Sequence, residues 1–176
     1  MDRDELRALQ APLKERYADR PTAARVTLSA TGTLGAGISC SVRTGRAIAE
    51  AGLHPASGGD GAQLCSGDML LEALVACAGV TLRAVATSLG VTVSSGRVLA
   101  DGDLDFRGTL GVDRDAPVGF SAIRLALELD TDADDEQLAV LKRLTERYCV
   151  VYQTLAAVPA LSTVLSARTS TPPPPA

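Results

Sequence analysis

Residues 66–89 read SGDMLLEALVACAGVTLRAVATSL, a run built mostly from Leu, Ala and Val. After the first turn only Glu72 and Arg83 carry charge, so a helix formed by this run would be apolar on nearly every face. Helices of that kind are buried at the centre of a protein. The run therefore predicts a long central helix, which Ser66 caps and Gly90 ends.

Shorter patterns on both sides of this helix predict strands and further helices. Alternating apolar and polar residues predict strands at residues 25–34, 38–43, 46–50, 98–110, 120–129 and 161–167. Helical spacing predicts a helix at residues 2–17 that Pro12 should break or kink, a helix that residues 132–135 cap and that runs to Tyr148, and a short helix after Cys149. Because strands and helices come in blocks, the order predicts an α+β fold with antiparallel sheets wrapped around the central helix.

The chain divides into three predicted parts. Residues 1–22 form an N-terminal helical extension, and residues 23–168 form one globular domain of ordinary size. Residues 169–176 form a Pro-rich tail that is expected to be disordered.

Composition narrows the class of partner. The net charge is -4 and the chain has no Trp, so it lacks the basic patch and stacking aromatics of a nucleic-acid-binding protein. Aromatic residues make up only 3%, and a core of small aliphatic side chains favours burial of further area in an oligomer.

No apolar run approaches the roughly 20 residues needed to cross a bilayer, and the charged start lacks the apolar core of a signal peptide. We therefore expect no membrane association and a cytoplasmic location.

Four cysteines carry the reactive chemistry of this sequence. Cytoplasmic thiols are normally reduced, so each is interpreted as a buried side chain, a metal ligand or a redox thiol. No metal site is expected, because His54 is the only histidine and no Cys-x-x-Cys pair occurs. Taken alone, Cys77 is more typical of a core side chain. Cys149 stands between two predicted helices, and a helix N-terminus stabilises a thiolate.

Four stretches of the chain together indicate one family. They read GGDG at residues 58–61, CSGDMLLEALVAC at 65–77, GDLDFRGTLG at 102–111 and CVVYQTL at 149–155. This combination resembles the OsmC/Ohr family, in which a Gly-rich loop leads into a helix with a first Cys and a second Cys motif follows later. The resemblance covers residues 25–167, so residues 23–168 are identified as an OsmC-like domain.

The resemblance implies an intertwined homodimer with two active sites at the subunit interface. It implies that Cys77 is the peroxidatic thiol and that Cys149 resolves it to a disulfide. The expected substrates are organic hydroperoxides, and the expected reductant is an external dithiol, lipoylated in one branch of the family. No bound cofactor or metal is implied.

The resemblance also implies a positive group beside the peroxidatic thiolate, supplied by an Arg near the N-terminal strands and oriented by a Glu. Arg43, Arg46 and Glu50 lie in the matching region, and no motif decides which Arg fills the role. Arg83 is less suitable, because it follows Cys77 by six residues and would not share its helix face closely.

Some residues of the two motifs depart from the family. Cys65 and Ser66 stand where the family has Ser or Asn and then Pro, and Asp68 replaces a Glu. After Cys149, Val150 replaces a Pro and Tyr152 replaces a Ser. Cys65 is thus an additional thiol, either a spectator or a partner in a competing disulfide, whereas Cys40 is expected in the core.

Two functions follow from these expectations. The first is a peroxidase that uses Cys77 and Cys149. The alternative is a non-catalytic OsmC-like dimer that binds a small hydrophobic ligand at its interface, with inert buried cysteines. A positive group within reach of Cys77 would favour the peroxidase, because it would stabilise the thiolate.

Overall fold

The computed structural model describes residues 2–20, 31–34, 39–44 and 47–166. The start of the first predicted strand, the predicted turn at residues 35–37 and the Pro-rich tail at residues 169–176 lie outside this part. So does Arg46. Within the described part, helices and mainly antiparallel strands form the predicted α+β fold around one long helix.

The long helix α2 spans Ser66–Leu89 and confirms the main sequence prediction. Its N-cap is Cys65 rather than Ser66, and Cys65 makes no side-chain capping bond. At the other end Gly90 adopts a left-handed conformation with φ 73°, which favours glycine, and its N–H bonds to the carbonyls of Ala86 and Thr87. The buried residues of α2 are Leu74, Ala78, Leu82, Val85 and Ala86.

By length and composition alone, α2 could cross a membrane. It has 24 residues, and its most apolar 18-residue window has a mean hydropathy of 1.8. The expectation that no apolar run is long enough is therefore wrong, because Glu72 and Arg83 are too few to lower this mean. Core helices of soluble proteins meet the same criterion, and α2 contacts β5, α4 and α5 in this fold.

The N-terminal part consists of helix α1 and a four-stranded sheet. Helix α1 spans Arg3–Asp19 and runs through Pro12 without the predicted break. Proline removes only one backbone donor from a helix, and reciprocal bonds between Asp2 and Glu5 secure the start of α1. The sheet contains β1 (Thr31–Leu34), β2 (Ser39–Thr44), β3 (Ala47–Gly52) and β4 (Leu64–Cys65), in that order.

The sheet pairs antiparallel except at its last member. Strand β2 pairs antiparallel with both β1 and β3, and the short β4 pairs parallel with β3. A 3-10 turn at Pro55–Ser57 follows β3 in the Gly-rich loop. Because β4 runs directly into α2, the sheet is anchored to the start of the central helix.

An antiparallel hairpin follows α2. It consists of β5 (Val93–Asp103) and β6 (Ala122–Thr131). The prediction that the first strand continues to Leu110 is wrong, because a helical turn, α3, forms at Phe106–Thr109. The Asp105 side chain caps this turn by accepting the Arg107 N–H at 3.0 Å, and this local bond overrides the alternating pattern.

Two helices complete the described core. Helix α4 (Asp135–Tyr148) begins with a capping box between Asp134 and Gln137 and packs against α2. Helix α5 (Val150–Ala156) follows after the single residue Cys149 and contacts both α2 and α4. The core combines residues of α2, β5 and α4, namely Leu82, Val85, Ala86, Val93 and Leu141.

The predicted final strand at residues 161–167 is wrong for its described part. Residues 161–166 form no strand, and Leu161, Val164 and Leu165 are each at least 87% exposed. A strand requires a neighbouring edge to satisfy its backbone groups, and the described part of this one chain brings no such edge to the segment. Residue Ala167 lies outside the described part.

Candidate functional site

The site lies where the middle of α2 meets the junction of α4 and α5. Cys77 is half-buried on α2, whereas Cys149 is fully buried, with 0% exposure, between the two later helices. Cys149 ends α4, where its N–H bonds to the Thr145 carbonyl at 2.9 Å, and it also forms the N-cap of α5. The contact between α5 and α2 brings the two cysteines together from positions far apart in sequence.

The two thiols are neighbours that influence each other's ionisation. The Cys149 thiol, as a hydrogen-bond donor, lowers the pKa of Cys77, and Cys77 raises the pKa of Cys149. Both cysteines are reduced in this structure. Formation of a disulfide requires two sulfurs that approach each other, so this arrangement meets the first geometric requirement of a redox pair.

Backbone donors at the start of α5 surround the two sulfurs. The Tyr152 N–H donates to the Cys149 sulfur at 3.5 Å, and the N–H groups of Val150 and Val151 lower the pKa of Cys77. The first N–H groups of a helix have no partner within it, and here sulfur takes the place of that partner. The hydroxyl of Thr81, one helical turn after Cys77 on α2, also lowers the pKa of Cys77.

Burial raises the pKa of the Cys77 thiol, but the hydrogen bonds outweigh it. The donors are the Val151 N–H, the Cys149 thiol, the Val150 N–H and the Thr81 hydroxyl, and together they leave the pKa of Cys77 below its ordinary value. Each donor stabilises the thiolate more than the neutral thiol. Cys77 is therefore the readily ionised member of the pair.

The pKa of Cys149 is shifted in the opposite direction, above its ordinary value. Burial raises the pKa of the Cys149 thiol, and the neighbouring Cys77 raises it further, while the Tyr152 and Val151 N–H groups offset only part of that rise. At neutral pH Cys149 therefore keeps its proton and can donate it to Cys77. The start of α5 acts on Cys149 as predicted from the sequence, through the Tyr152 and Val151 N–H groups, but burial and the neighbouring Cys77 outweigh that effect.

The structure describes only part of the charged residues that the resemblance suggested for the site. The backbone of Arg43 lies on β2, opposite Ile48 of β3, but its side chain lies outside the described part, as does all of Arg46. Glu50 is exposed on β3 and accepts a bond from Gln63 at 3.0 Å. Arg83 is exposed and donates to the Val93 carbonyl at 2.5 Å, so it braces α2 against β5.

The additional thiol Cys65 is remote from the pair within one chain. It caps α2, and Cys77 follows twelve residues later, which at about 1.5 Å per residue separates them by roughly 18 Å. A disulfide allows no more than about 7 Å between Cα atoms, so a competing Cys65–Cys77 bridge within one chain is excluded. The backbone of Cys40 lies on β2, opposite Ala51, and its side chain lies outside the described part.

Cys65 lines a small cavity with His54 and Phe106. His54 accepts the Ala56 N–H on Nδ1 at 3.0 Å, and its ring stacks on Phe106 with centroids 5.0 Å apart. Both interactions give His54 a structural role in the loop. Among the residues that the structure describes, no cluster of His, Cys, Asp and Glu could hold a metal ion.

A larger apolar cleft of about 1040 Å³ lies next to the site. Its walls come from α2, β6, α4 and α5, and they are built mainly from Leu side chains with Phe120 and Ile123. Leu74 precedes Cys77 by one turn of α2, and Tyr152 donates to Cys149, so the cleft wall includes residues adjacent to both thiols. The cleft can accommodate an apolar organic molecule.

Sequence reasoning from the resemblance proposed the two cysteines but missed the donors around them. Val150 and Val151 act through main-chain N–H groups, which every residue except Pro carries, so no side-chain pattern marks them. Thr81 could have been found from its spacing of four residues after Cys77 on a predicted helix. Thr145 is 1% exposed, and its hydroxyl has no hydrogen-bond partner among the described residues.

Comparisons with known proteins agree on one family. A family model described as OsmC-like protein matches residues 59–163. The OsmC-like protein of Mycoplasma pneumoniae superposes with a TM-score of 0.64 at 16% identity, covering 76% of this chain and 89% of its own. No curated protein sequence gives a significant match.

Two other similar structures carry a functional name. They are an organic hydroperoxide resistance protein of Legionella pneumophila (TM-score 0.56, 15% identity, 75% of this chain and 90% of that chain) and the organic hydroperoxide resistance protein OhrB of Bacillus subtilis (TM-score 0.52, 17% identity, 76% and 93%). At these identities the likeness shows a shared fold.

Proposed function

We propose that this chain, which belongs to the OsmC/Ohr family, is a thiol-dependent peroxidase that reduces organic hydroperoxides through Cys77 and Cys149. The observation that carries the proposal is that the pKa values of two neighbouring thiols are shifted in opposite directions. Hydrogen bonds lower the pKa of Cys77 despite its burial, while burial raises the pKa of Cys149. A two-cysteine peroxidase needs this difference in pKa, because one sulfur must attack as a thiolate while the other stays a reduced thiol until the sulfenic acid has formed.

The first step is attack by the Cys77 thiolate on the distal oxygen of the hydroperoxide. The S–O bond forms as the O–O bond breaks, which gives a Cys77 sulfenic acid and an alkoxide that takes up a proton to become the alcohol. Cys77 is half-buried and Cys149 is fully buried. This difference in access supports Cys77 as the sulfur that meets the peroxide first.

The second step joins the two cysteines. Cys149 loses its proton, attacks the sulfenic sulfur and displaces hydroxide, which leaves as water after protonation. The product is a Cys77–Cys149 disulfide, and the influence of each thiol on the pKa of the other supports this pairing. An external dithiol, lipoylated or otherwise, then reduces the disulfide by thiol–disulfide exchange and is itself oxidised to a disulfide. The cycle requires no bound cofactor or metal.

The apolar cleft supports an organic substrate. Its aliphatic lining would favour the hydrocarbon part of an alkyl hydroperoxide over hydrogen peroxide, which has no apolar surface to bury. Two proteins of similar fold are named organic hydroperoxide resistance proteins. Their names agree with this substrate class.

The proposal includes a homodimer located in the cytoplasm. Exposed apolar side chains, among them Val80 on α2 and Val150 on α5, flank the two cysteines. Apolar surface of this extent beside a site is typical of an interface, so a second copy of the chain is proposed to cover it. Reducing conditions in the cytoplasm would keep both thiols ready for reaction.

Turnover of cumene hydroperoxide with dihydrolipoamide tests the function. The wild type should consume peroxide, Cys77→Ser should lose turnover, and Cys65→Ser should retain it as the matched control. Equal activity of wild type and Cys77→Ser would exclude Cys77 as the nucleophile. If the fully reduced wild type shows no turnover with several dithiols, the peroxidase function is excluded.

The apolar cleft also supports the second candidate, a non-catalytic dimer that binds a small hydrophobic ligand. That function needs the aliphatic lining but gives no reason for two thiols of opposite pKa shift. Saturable binding of an apolar fluorescent probe without peroxide turnover would favour it.

A further inference from the structure

The side chain of Phe120 lies in a slot between two glycines, one on β5 and one in the first turn of α2. A Cβ atom built on Gly102 would lie 2.6 Å from Cδ1 of the ring, so the ring rests directly on the backbone of β5. A Cβ atom built on Gly67 would lie 3.5 Å from Cζ of the same ring, which is ordinary van der Waals contact. The ring therefore spans the gap between the hairpin and the start of the central helix.

The residue after Phe120 fixes the backbone at this position. The Ser121 N–H donates to the Asp103 carbonyl at 2.9 Å, and the Ser121 hydroxyl donates to the same carbonyl at 3.1 Å. Strand β6 begins at the next residue, Ala122. Backbone bonds of the hairpin therefore determine the place of the ring, in addition to its contacts with the two glycines.

The ring lies at the boundary between two cavities. Phe120 belongs to the wall of the apolar cleft of about 1040 Å³ and also to the wall of the smaller cavity of about 390 Å³. The cleft is lined mainly by aliphatic side chains. The smaller cavity contains His54, Asp68 and Asp103 in its wall. Phe120 thus separates an apolar space from a space with charged groups.

The cleft runs along α2, and its two ends differ. At one end its wall contains Leu82 and Leu141, which are 3% and 1% exposed and belong to the core. The core closes the cleft there, so a hydrocarbon chain that enters beside the thiols extends toward Phe120. Gly67, which the ring contacts, precedes Cys77 by ten residues of α2, or roughly 15 Å along the helix axis.

We propose that Phe120 is a specificity-determining residue that limits the length of the hydrocarbon chain on the hydroperoxide. The inference rests on the proposed function and deepens it. Each methylene that leaves water for the aliphatic wall should strengthen binding about fourfold. A chain that reaches the ring gains nothing from a further methylene, because the ring fills the slot between Gly67 and Gly102.

Binding of primary alcohols, the products of the proposed reaction, tests this limit without turnover. Octanol, decanol, dodecanol and tetradecanol each compete with an apolar fluorescent probe for the cleft. In the wild type, affinity should rise about fourfold per methylene and then stop rising within this series. In Phe120→Ala the rise should continue, so that tetradecanol binds at least about tenfold more tightly than it does to the wild type.

Gly67→Ala is the matched control. It alters the other side of the same slot, but its Cβ atom would lie at an ordinary contact distance from the ring, and Ala favours a helix more than Gly does. This variant should keep the wild-type dependence on chain length. Circular dichroism establishes that both variants fold. A folded Phe120→Ala whose affinity stops rising at the same chain length as in the wild type overturns the proposal.

A second measurement requires no substitution. Dodecanol that carries a diazirine on its last carbon is bound to the wild type and photolysed, and peptide mapping locates the label. The label should lie at Leu70 or within residues 119–122, which line the same end of the cleft. Label at Leu82 or Leu141, or no saturable label, overturns the proposal even if Phe120→Ala fails to fold.

These measurements are separate from the test of peroxidase activity. If the wild type consumes no peroxide but the alcohols bind as expected, the proposed function fails and the role of Phe120 as a limit on chain length stands. If peroxide is consumed and Phe120→Ala does not change the dependence on chain length, the function stands and the role of Phe120 fails.

Discussion

Two neighbouring thiols have their pKa values shifted in opposite directions. Burial raises the pKa of both Cys77 and Cys149, but only Cys77 receives enough donors to bring its pKa below the ordinary value. Part of that donation comes from Cys149 itself. Each thiol therefore helps to determine the protonation state of the other, and replacement of one should change the reactivity of its partner.

Cys149→Ala should make Cys77 a weaker acid. The change removes the thiol that donates to Cys77, so the pKa of Cys77 should rise. The thiolate is present above this pKa and is lost as pH falls through it, so the alkylation rate of Cys77 at pH 7 should drop by roughly three- to tenfold. The pH profile of iodoacetamide labelling at Cys77 measures this. Cys65→Ala is the control and should leave the profile unchanged, whereas an unchanged or lowered pKa in Cys149→Ala would contradict the hydrogen bond.

For individual residues, the sequence predicted which side chains belong to the site but not which backbone N–H groups do. Cys77 and Cys149 could be proposed because two motifs resemble those of one family. The Val150 and Val151 donors could not, because any non-proline residue supplies an N–H and only the meeting of α5 with α2 aims these two at a sulfur. The charged partner of the thiolate stays a prediction, with Arg43 and Arg46 as its candidates.

Helix α4 links the core to the site. It starts at the Asp134 capping box, packs Leu141 and Thr145 into the interior and ends at Cys149. Its start could be predicted from the acidic cluster before a run of helical spacing. Where such local signals and long apolar patterns agree, as in α2 and α4, the predicted elements are confirmed.

Asp134→Ala should destabilise the protein by about 1 kcal/mol, because it removes a side chain that accepts the Gln137 N–H at 2.8 Å. Urea unfolding followed by circular dichroism measures this difference. Asp132→Ala is the matched control, since Asp132 is exposed and precedes the cap. Equal loss of stability in both variants would mean that negative charge near the helix start, rather than the specific cap, supplies the stabilisation.

The end of the strand predicted at residues 98–110 and the described part of the strand predicted at residues 161–167 are wrong, for physical reasons that an alternating pattern does not contain. At residues 106–109 a helical turn is favoured over an extended chain, because the Asp105 carboxylate accepts hydrogen bonds from the backbone N–H and the guanidinium of Arg107. At residues 161–166 the apolar spacing suits a strand, but the segment pairs with no strand of the described part of the chain. Alternating hydrophobicity shows only that a segment prefers an extended conformation. A strand also requires hydrogen bonds to a second strand, which lies elsewhere in the sequence.

The whole molecule leaves much apolar surface uncovered. Helix α2 is the central helix, yet only 28% of its most apolar window is buried inside one chain. Val80, three residues after Cys77, is 73% exposed. We expect a second copy of the chain to bury this surface. The low aromatic content and the family resemblance led to the same prediction.

Val80→Glu should weaken the homodimer, because it would place an unpaired charge in the proposed apolar interface. Analytical ultracentrifugation should detect a dissociation constant at least about tenfold higher than that of wild type, which corresponds to a loss of about 1.4 kcal/mol. Ser88→Glu, at an exposed polar position of the same helix, is the control and should remain dimeric. A wild type that sediments as a monomer at all concentrations would contradict the homodimer.

The most direct test of the account is a reaction with one equivalent of cumene hydroperoxide, without reductant, followed by peptide mapping of the disulfides. The account predicts that reduced protein forms a Cys77–Cys149 disulfide within each chain while Cys65 remains a free thiol. Cys149→Ala should instead accumulate a sulfenic acid at Cys77, which dimedone would trap. Reduced protein that keeps all its thiols in the presence of peroxide, or that forms its disulfide through Cys65, would contradict the account.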